Sequence, residues 1–259
     1  MSFFVNNVEL KEATFNQQEV KSIYFNTHLI WESFWVGWDN ATWEDVYNLC
    51  KAKQNGEIKQ WPRDVVLGAT KDVNLSTPVI ETSVYTMRII GIDFDAPGVI
   101  TFDCKYMSDN FYRLVDGDTP CIDFYNYCEV KPYIKPLRKG VATYSSSRNG
   151  SVTYTDSYVW ELSEREIGCD AFSSISVANS TLTKAECTYG INAPYPCFTS
   201  NESRIKKYLK QYDDAWFLRG TACHNYFSNY RIRVKEDGTT ARTSPEAAGP
   251  GFSPCFAIG

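Results

Sequence analysis

The sequence is short of the groups most enzymes work with. Its 259 residues include two histidines, His28 and His224, so a nucleophile–base pair has almost nothing to draw on. No G-x-S-x-G, H-E-x-x-H, P-loop or G-x-G-x-x-G segment occurs. No run approaches the roughly 18 apolar residues of a membrane span. Met1–Leu10 lacks the basic start and apolar stretch of a secretory leader, so synthesis in a cytoplasm without a signal peptide is expected, with no membrane insertion. There is no surplus of positive charge: the formal net charge is −5, which argues against a general attraction to nucleic acid or anionic membranes.

Metal chemistry is poorly supplied too. The nine cysteines stand at 50, 104, 121, 128, 169, 187, 197, 223 and 255, an odd number with no C-x-x-C pair. Two histidines cannot complete several Cys/His sites. The cysteines are read as free thiols serving as small core residues, and no metal or cofactor is expected. Asp93, Asp95 and Asp103 flank a tight turn and could bind a cation, but aspartate is common in turns for its own reasons, which makes calcium there the less expected reading. His224 beside Cys223 is the one adjacent pair of reactive types. Neighbours in a strand point to opposite faces, which works against their pairing.

What the chain does have is aromatics, 15% of residues with 17 Tyr and 7 Trp. That usage suits β-rich folds and also binding surfaces, where rigid rings give contact area at low entropic cost. Met1–Ser33 reads as a small separate unit, with β-type runs at 20–25 and 28–31 around a two-residue Asn26-Thr27 turn. An isolated hairpin is marginal in water, so this unit should pack on the main domain or on a partner. Residues 34–259 form the second domain. Thr42 caps a helix carrying Trp43, Val46, Leu49 and Cys50, with Asn55-Gly56 at its end. Thr119-Pro120 starts another with Cys121, Phe124, Tyr125 and Cys128 on one face. Ser163-Glu164-Arg165-Glu166 is a capping box, making Glu164 and Glu166 structural. Strands are expected at 65–75, 84–94, 99–102, 133–137, 152–162, 215–218, 230–235 and 256–258. A short helix is expected at 202–212 with Asp213-Asp214 at its C-terminus, after a long irregular insertion at 172–201. Short helices among antiparallel strands define an α+β fold.

The most informative tract is Thr221–Arg233. From Gly220 to Val234 there is no Lys, Glu, Gln, Met or Trp, while Tyr, Asn, Ser, His and Arg recur. With Tyr230, Ile232 and Val234 inward, Arg231 and Arg233 share the outer face. Asn225, Tyr226, Ser228 and Asn229 are expected on the preceding turn. These are residue types that dominate antibody-like contact surfaces. Composition alone leaves an ordinary surface loop and edge strand equally open.

Ten short segments occur in a telling order: Trp43–Val46, Val73–Leu75, Ile89–Asp93, Ile100–Phe102, Ile134–Pro136, Leu162–Ile167, Arg204–Lys206, Trp216–Arg219, Asp237-Gly238 and Pro254–Ile258. Together they resemble a domain family of formally unknown function found in phage, prophage and bacterial surface proteins, over about Trp35 to Gly259. That family looks like a C-type-lectin-like fold and is similar to the variable proteins of diversity-generating retroelements, which include phage receptor-binding tips. In those proteins, adenine-templated mutagenesis varies codons near the C-terminus over a fixed framework. Asn codons altered at their adenines reach His, Tyr, Phe, Ser, Cys, Thr, Arg and Ile but not Lys, Glu, Gln, Met or Trp, a restriction that Thr221–Arg233 obeys. This chain departs from the family in having Gly220-Thr221 where Ser-Pro often follows the Leu-Arg pair. It also lacks the Glu-Pro-Asn and Trp-Asn-Asp motifs of calcium-dependent lectins, so the fold implies neither sugar nor calcium.

The resemblance and the tract together imply a non-enzymatic, virion-associated receptor- or ligand-binding protein of a bacteriophage tail or surface. Its binding residues would be His224, Asn225, Tyr226, Ser228, Asn229, Arg231 and Arg233, with Arg242 from the following loop. Trp216, Leu218, Ile232, Val234 and Phe256 would form the core beneath. The implied partners are a host cell-surface protein or glycan, other virion proteins through the N-terminal unit, and further copies of the chain in a homo-oligomer. The alternatives are an enzyme on a formylglycine-generating-type lectin fold, drawing on Cys223 and Cys255, and a structural decoration protein.

Overall fold

In the computed structural model, side chains are described for residues 35–76, 83–106, 121–140, 154–164, 166–169, 194–206, 215–219, 232–241 and 251–259. Over the remaining strand and helix positions named below, the backbone is described. The chain divides into two compact units, Met1–Val65 and Val66–Gly259. The division falls later than the expected 33/34 boundary, so the first helix groups with the N-terminal strands.

Unit 1 holds three antiparallel pairs: β1 (Phe3–Val5) with β2 (Val8–Leu10), β3 (Thr14–Phe15) with β4 (Gln18–Glu19), and β5 (Ser22–Phe25) with β6 (His28–Glu32). Phe25 pairs with His28, leaving the two residues between them that the hairpin reading requires. Helix α1 (Trp43–Gln54) is capped as its sequence directs. The Thr42 hydroxyl accepts from the Asp45 amide at 3.1 Å, and the Thr42 amide donates to the Asp45 carboxylate at 2.7 Å. Its buried stripe includes Trp43, Val46, Leu49 and Cys50.

Unit 2 is built on a sheet of seven strands among the described residues. β7 (Thr70–Leu75), β8 (Ser83–Ile92), β9 (Ile100–Met107), β12 (Val159–Trp160), β13 (Lys206–Tyr208), β14 (Tyr212–Asp214) and β18 (Cys255–Ile258) make it up. All pairs are antiparallel except β9 with β13. β9 is central: β8 pairs along it and β18 lies antiparallel to its start, with Phe102 opposite Phe256. Those two rings stack at 5.3 Å, and Phe124 of α2 (Thr119–Tyr127) packs on Phe256 at 6.1 Å and edge-on to Tyr85 at 5.4 Å. The end of α2 is stitched to β7, the Glu129 amide donating to the Asn74 carbonyl. A separate hairpin joins β10 (Leu137–Tyr144) to β11 (Gly150–Ser157). A three-stranded sheet follows: β15 (Trp216–His224), β16 (Phe227–Val234) and β17 (Thr240–Thr243). Short helices among mainly antiparallel strands make this an α+β protein. Among the described residues no helix is long and apolar enough to cross a membrane.

Several expectations are corrected. The strand expected at 133–137 is displaced: a 3-10 turn (Lys131–Tyr133) ends at its first residue, Ile134 makes an isolated antiparallel bridge to Ile258, and β10 begins at Leu137. The expected helix at 202–212 is reduced to α3 (Asn201–Arg204), after which the chain enters β13. The apolar spacing of Ile205, Tyr208, Leu209 and Tyr212 mimics a helix, but Lys206, a charged residue within that segment, is fully buried. Asp213 and Asp214 therefore sit in strand β14 opposite Lys207 and Lys206, not at a helix C-terminus. Within 65–75, only Thr70–Leu75 is strand. The Ser163–Glu166 box is present in both directions, although it closes a turn and not a helix. Of the insertion at 172–201, residues 172–193 lie outside the described residues, as does Asp116–Asp118.

Phe256 is fully buried and touches rings from β9 and α2. Phe256→Ala should lower unfolding free energy in urea titration by about 3–5 kcal/mol, with an unchanged slope.

Candidate functional site

The C-terminal tract folds as a hairpin. His224 pairs with Phe227, and Asn225 and Tyr226 between them lie outside the described residues. Ser228 and Asn229, expected in the turn, are strand residues of β16. Ile232 and Val234 are buried, as are Trp216, Leu218 and Phe256, which is the expected core. Arg233 alternates with Ile232 and Val234 and is partly exposed; its Nε is sealed from solvent and has no hydrogen-bond partner among the described residues. Arg231 is two residues along the same strand, opposite Thr221 and Thr243. Arg242 is a correction: it is not in a loop but in β17, directly opposite Ile232. Directly opposed residues of an antiparallel pair share a face, so register separates Arg242 from Arg233, whose opposite number is Ala241. The pairing of β15 with β16 shifts register between Phe217 and Thr221 and again between Ala222 and His224.

The hairpin is tied down beneath by arginines that grip backbone. Arg219 of β15 donates from Nε to the Gly140 carbonyl at 2.9 Å, from one terminal nitrogen to the Glu161 carbonyl at 2.9 Å and from the other to Glu166 at 3.1 Å. Its own amide donates to the Leu162 carbonyl. Arg204 donates to the carbonyls of Ile167 and Gly168 at 2.8 and 2.7 Å, and the Trp216 indole donates to the Arg204 carbonyl at 3.0 Å. The β16–β17 turn rests against α3 at Gly238, which has φ +77°, and a Cβ built there would overlap the Asn201 carbonyl.

Two buried ionic clusters lie under this arrangement. In the first, the Lys139 ammonium donates to Asp95 at 3.0 Å, Glu166 at 3.0 Å and the Tyr195 hydroxyl at 2.8 Å, beneath the Trp160 ring. Tyr195 and Thr101 in turn donate to Asp95. Burial alone pushes the Glu166 carboxyl up, but Arg219 and Lys139 outweigh it and hold it below its ordinary 4.5. Burial raises the Tyr195 phenol well above 10, helped by Glu166 and Asp95. In the second, Lys206 meets Asp103 and Ser253 under the Trp216 ring, and Arg88 reaches the other Asp103 oxygen at 3.1 Å. The Cys255 thiol donates to Asp103 at 3.3 Å, and burial together with that carboxylate raises it well above 9.

Asp95 and Asp103 neutralise the protein's own lysines, and Asp93 accepts from the Gly98 amide at 2.6 Å to close the turn. Among the described residues no group of histidine, cysteine and carboxylate side chains is arranged to hold a metal. Thiolate chemistry needs a lowered pKa, and Cys255 is shifted the other way. Cys223 lies in β15. Sequence reading missed Lys139, Tyr195, Lys206 and Arg219 as structural partners. Their separations, 27 to 103 residues from their carboxylates, leave no local signal. No family model matches the chain, nor does any curated protein or solved structure.

Gly238→Ala adds a side chain at positive φ, which costs about 1–2 kcal/mol before any clash with Asn201. It should reduce stability in thermal unfolding by at least that much and loosen the β16–β17 turn in amide exchange. Acid provides a second test. Glu166 has a lowered folded pKa, so its contribution is full above about 4.5 and is lost as pH falls through the folded value. The stability gap between wild type and Glu166→Gln, from urea midpoints, should be widest at pH 7 and shrink below pH 4.5.

Proposed function

We propose that this chain is a non-enzymatic ligand-binding protein of a phage or prophage particle. In this reading the C-terminal unit is C-type-lectin-like, displays a variable face near its C-terminus and is a target of a diversity-generating retroelement. The observation that carries the reading is the β15–β16 hairpin. Trp216, Leu218, Ile232 and Val234 are buried at its base, while the tract rich in Tyr, Asn, Ser and Arg runs through its far end. Binding residues held on a rigid scaffold are the usual arrangement of a recognition surface. In this reading His224, Asn225, Tyr226, Ser228, Asn229, Arg231 and Arg233 meet the ligand. Aromatics supply contact area, and Asn, Ser and Arg supply directional hydrogen bonds. Arg242, which register separates from Arg233, is left out of this face. The N-terminal strand pairs attach the protein to other virion proteins. Several copies on one particle raise avidity without stronger single sites. The ligand is a host cell-surface protein or glycan.

The test begins with the DNA beside the gene. A near-copy of the segment encoding 221–233, differing at adenines and lying beside a reverse transcriptase, is the expected finding. Deep sequencing of progeny should then find variation concentrated in those codons, with Trp216, Leu218 and Phe256 constant. Purified chain should bind host cells, and joint substitution of Asn229, Arg231 and Arg233 by alanine should cut that binding at least tenfold without changing the melting temperature. Unchanged adsorption would favour a decoration protein.

A further inference from the structure

Lys139 is an unusual lysine. Its side chain is 2% exposed, and it faces two carboxylates, Asp95 and Glu166, both 3.0 Å from Nζ. Aromatic rings close the site: Trp160 lies 4.4 Å from Nζ and Tyr195 at 5.3 Å, both measured to ring centroids. Charges taken out of water are expensive even when paired. An ammonium and a carboxylate that condense to an amide remove both charges at once. We propose that Lys139 and Asp95 form an intramolecular isopeptide bond, with Glu166 as the catalytic base. This inference stands independently of the binding role proposed above.

The chemistry balances without an outside reagent. The Lys139 ammonium passes one proton to Asp95, giving a neutral amine beside a neutral carboxylic acid. The amine attacks Cγ of Asp95. Glu166, within reach of Nζ, takes a proton from the nitrogen of the tetrahedral intermediate and delivers it to the departing hydroxyl. Water leaves, the amide forms, and Glu166 returns to its starting state. Nothing is oxidised or reduced. The Nζ–Oδ1 hydrogen bond of 3.0 Å holds the lysine nitrogen against the carboxyl group whose carbon it attacks. Arg219 keeps Glu166 in place and balances its charge once the lysine is neutral.

The surroundings fit the product as well as the reactants. Tyr195 donates to Asp95 at 2.9 Å and Thr101 donates to the same oxygen, so a developing oxyanion and the final amide carbonyl both have donors. The amide N–H would donate to Glu166. Lys206 provides the internal contrast. It is equally buried and meets Asp103, but the other groups at that carboxylate are the Arg88 cation, the Ser253 hydroxyl and the Cys255 thiol, and among the described residues no second carboxylate meets Lys206 to act as a base. The bond is therefore assigned to Lys139 and not to Lys206.

The experiment is the intact mass of the full chain under denaturing conditions. The expected mass is one water below that of the sequence, and a protease map should contain a branched peptide joining Asp95 to Lys139. Lys139→Arg and Asp95→Ala should each restore the full mass, and Glu166→Gln should slow bond formation at least a hundredfold when the mass of newly synthesised full chain is followed over time after cell-free translation. Formation should be first order and independent of protein concentration. An unmodified wild-type mass in folded protein overturns the proposal, whatever the variants do. A branch mapped to Lys206 and Asp103, or to Lys139 and Glu166, overturns the assignment. Full condensation in Glu166→Gln overturns the role of the base.

Discussion

Charge out of water governs this structure. Lys139, Lys206, Asp103 and Glu166 are all essentially sealed from solvent, and each must meet an opposite charge or unfold the site. Neither lysine has a carboxylate within reach along its own strand. Lys206 must find Asp103, 103 residues earlier, and Lys139 must find Asp95 and Glu166, 44 and 27 residues away. The requirement brings the start of β10, the turn before β9 and the Ser163–Glu166 turn to one point. It also brings β13 against β9 and the Ser253–Cys255 segment to another. Each ammonium lies under a tryptophan, Trp160 or Trp216, and those rings belong to the strands that flank the clusters. Breaking a single partner leaves a buried charge unpaired, which is costly in free energy.

Local chemistry was legible where it was decided locally. Thr42 with Asp45 and Ser163 with Glu166 each satisfy orphan amides within four residues, and both boxes are present. The 95–98 turn is fixed by its own residues, with Asp93 closing it. Alternation in β16 put Ile232 and Val234 inward, as the structure has them. Reading failed where distant contacts overrode a local pattern. The segment at 202–212 has a helical spacing of apolar residues, yet Ser200 and Ser203 cap only one turn before Lys206 is drawn inward to Asp103. Glu166 illustrates both sides. Its role in the cap was visible, while its ion pairs with Lys139 and Arg219 were not, because nothing in a sequence announces which lysine will be buried. The tract at 221–233 was visible as a composition, but its register was not. Only strand pairing separates Arg242 from Arg233.

Under the proposed function, a display surface that varies would need a base that does not respond to the variation. The links under β15 and β16 have that property in a specific way. Arg219 grips the carbonyls of Gly140 and Glu161, Arg204 grips those of Ile167 and Gly168, and the Trp216 indole holds the carbonyl of Arg204. Every amino acid supplies a backbone carbonyl, so these hydrogen bonds do not themselves draw on the side chains of the residues held. The side chains that cannot change are the gripping ones, and Arg204, Trp216 and Arg219 all lie outside 221–233. Within the tract, the buried demand falls on Ile232, and Val234 stands just beyond it. Tolerance and rigidity are thus divided between different atoms of the same strands, which is the condition a hairpin must meet if its far end is to be rewritten while its base stays folded.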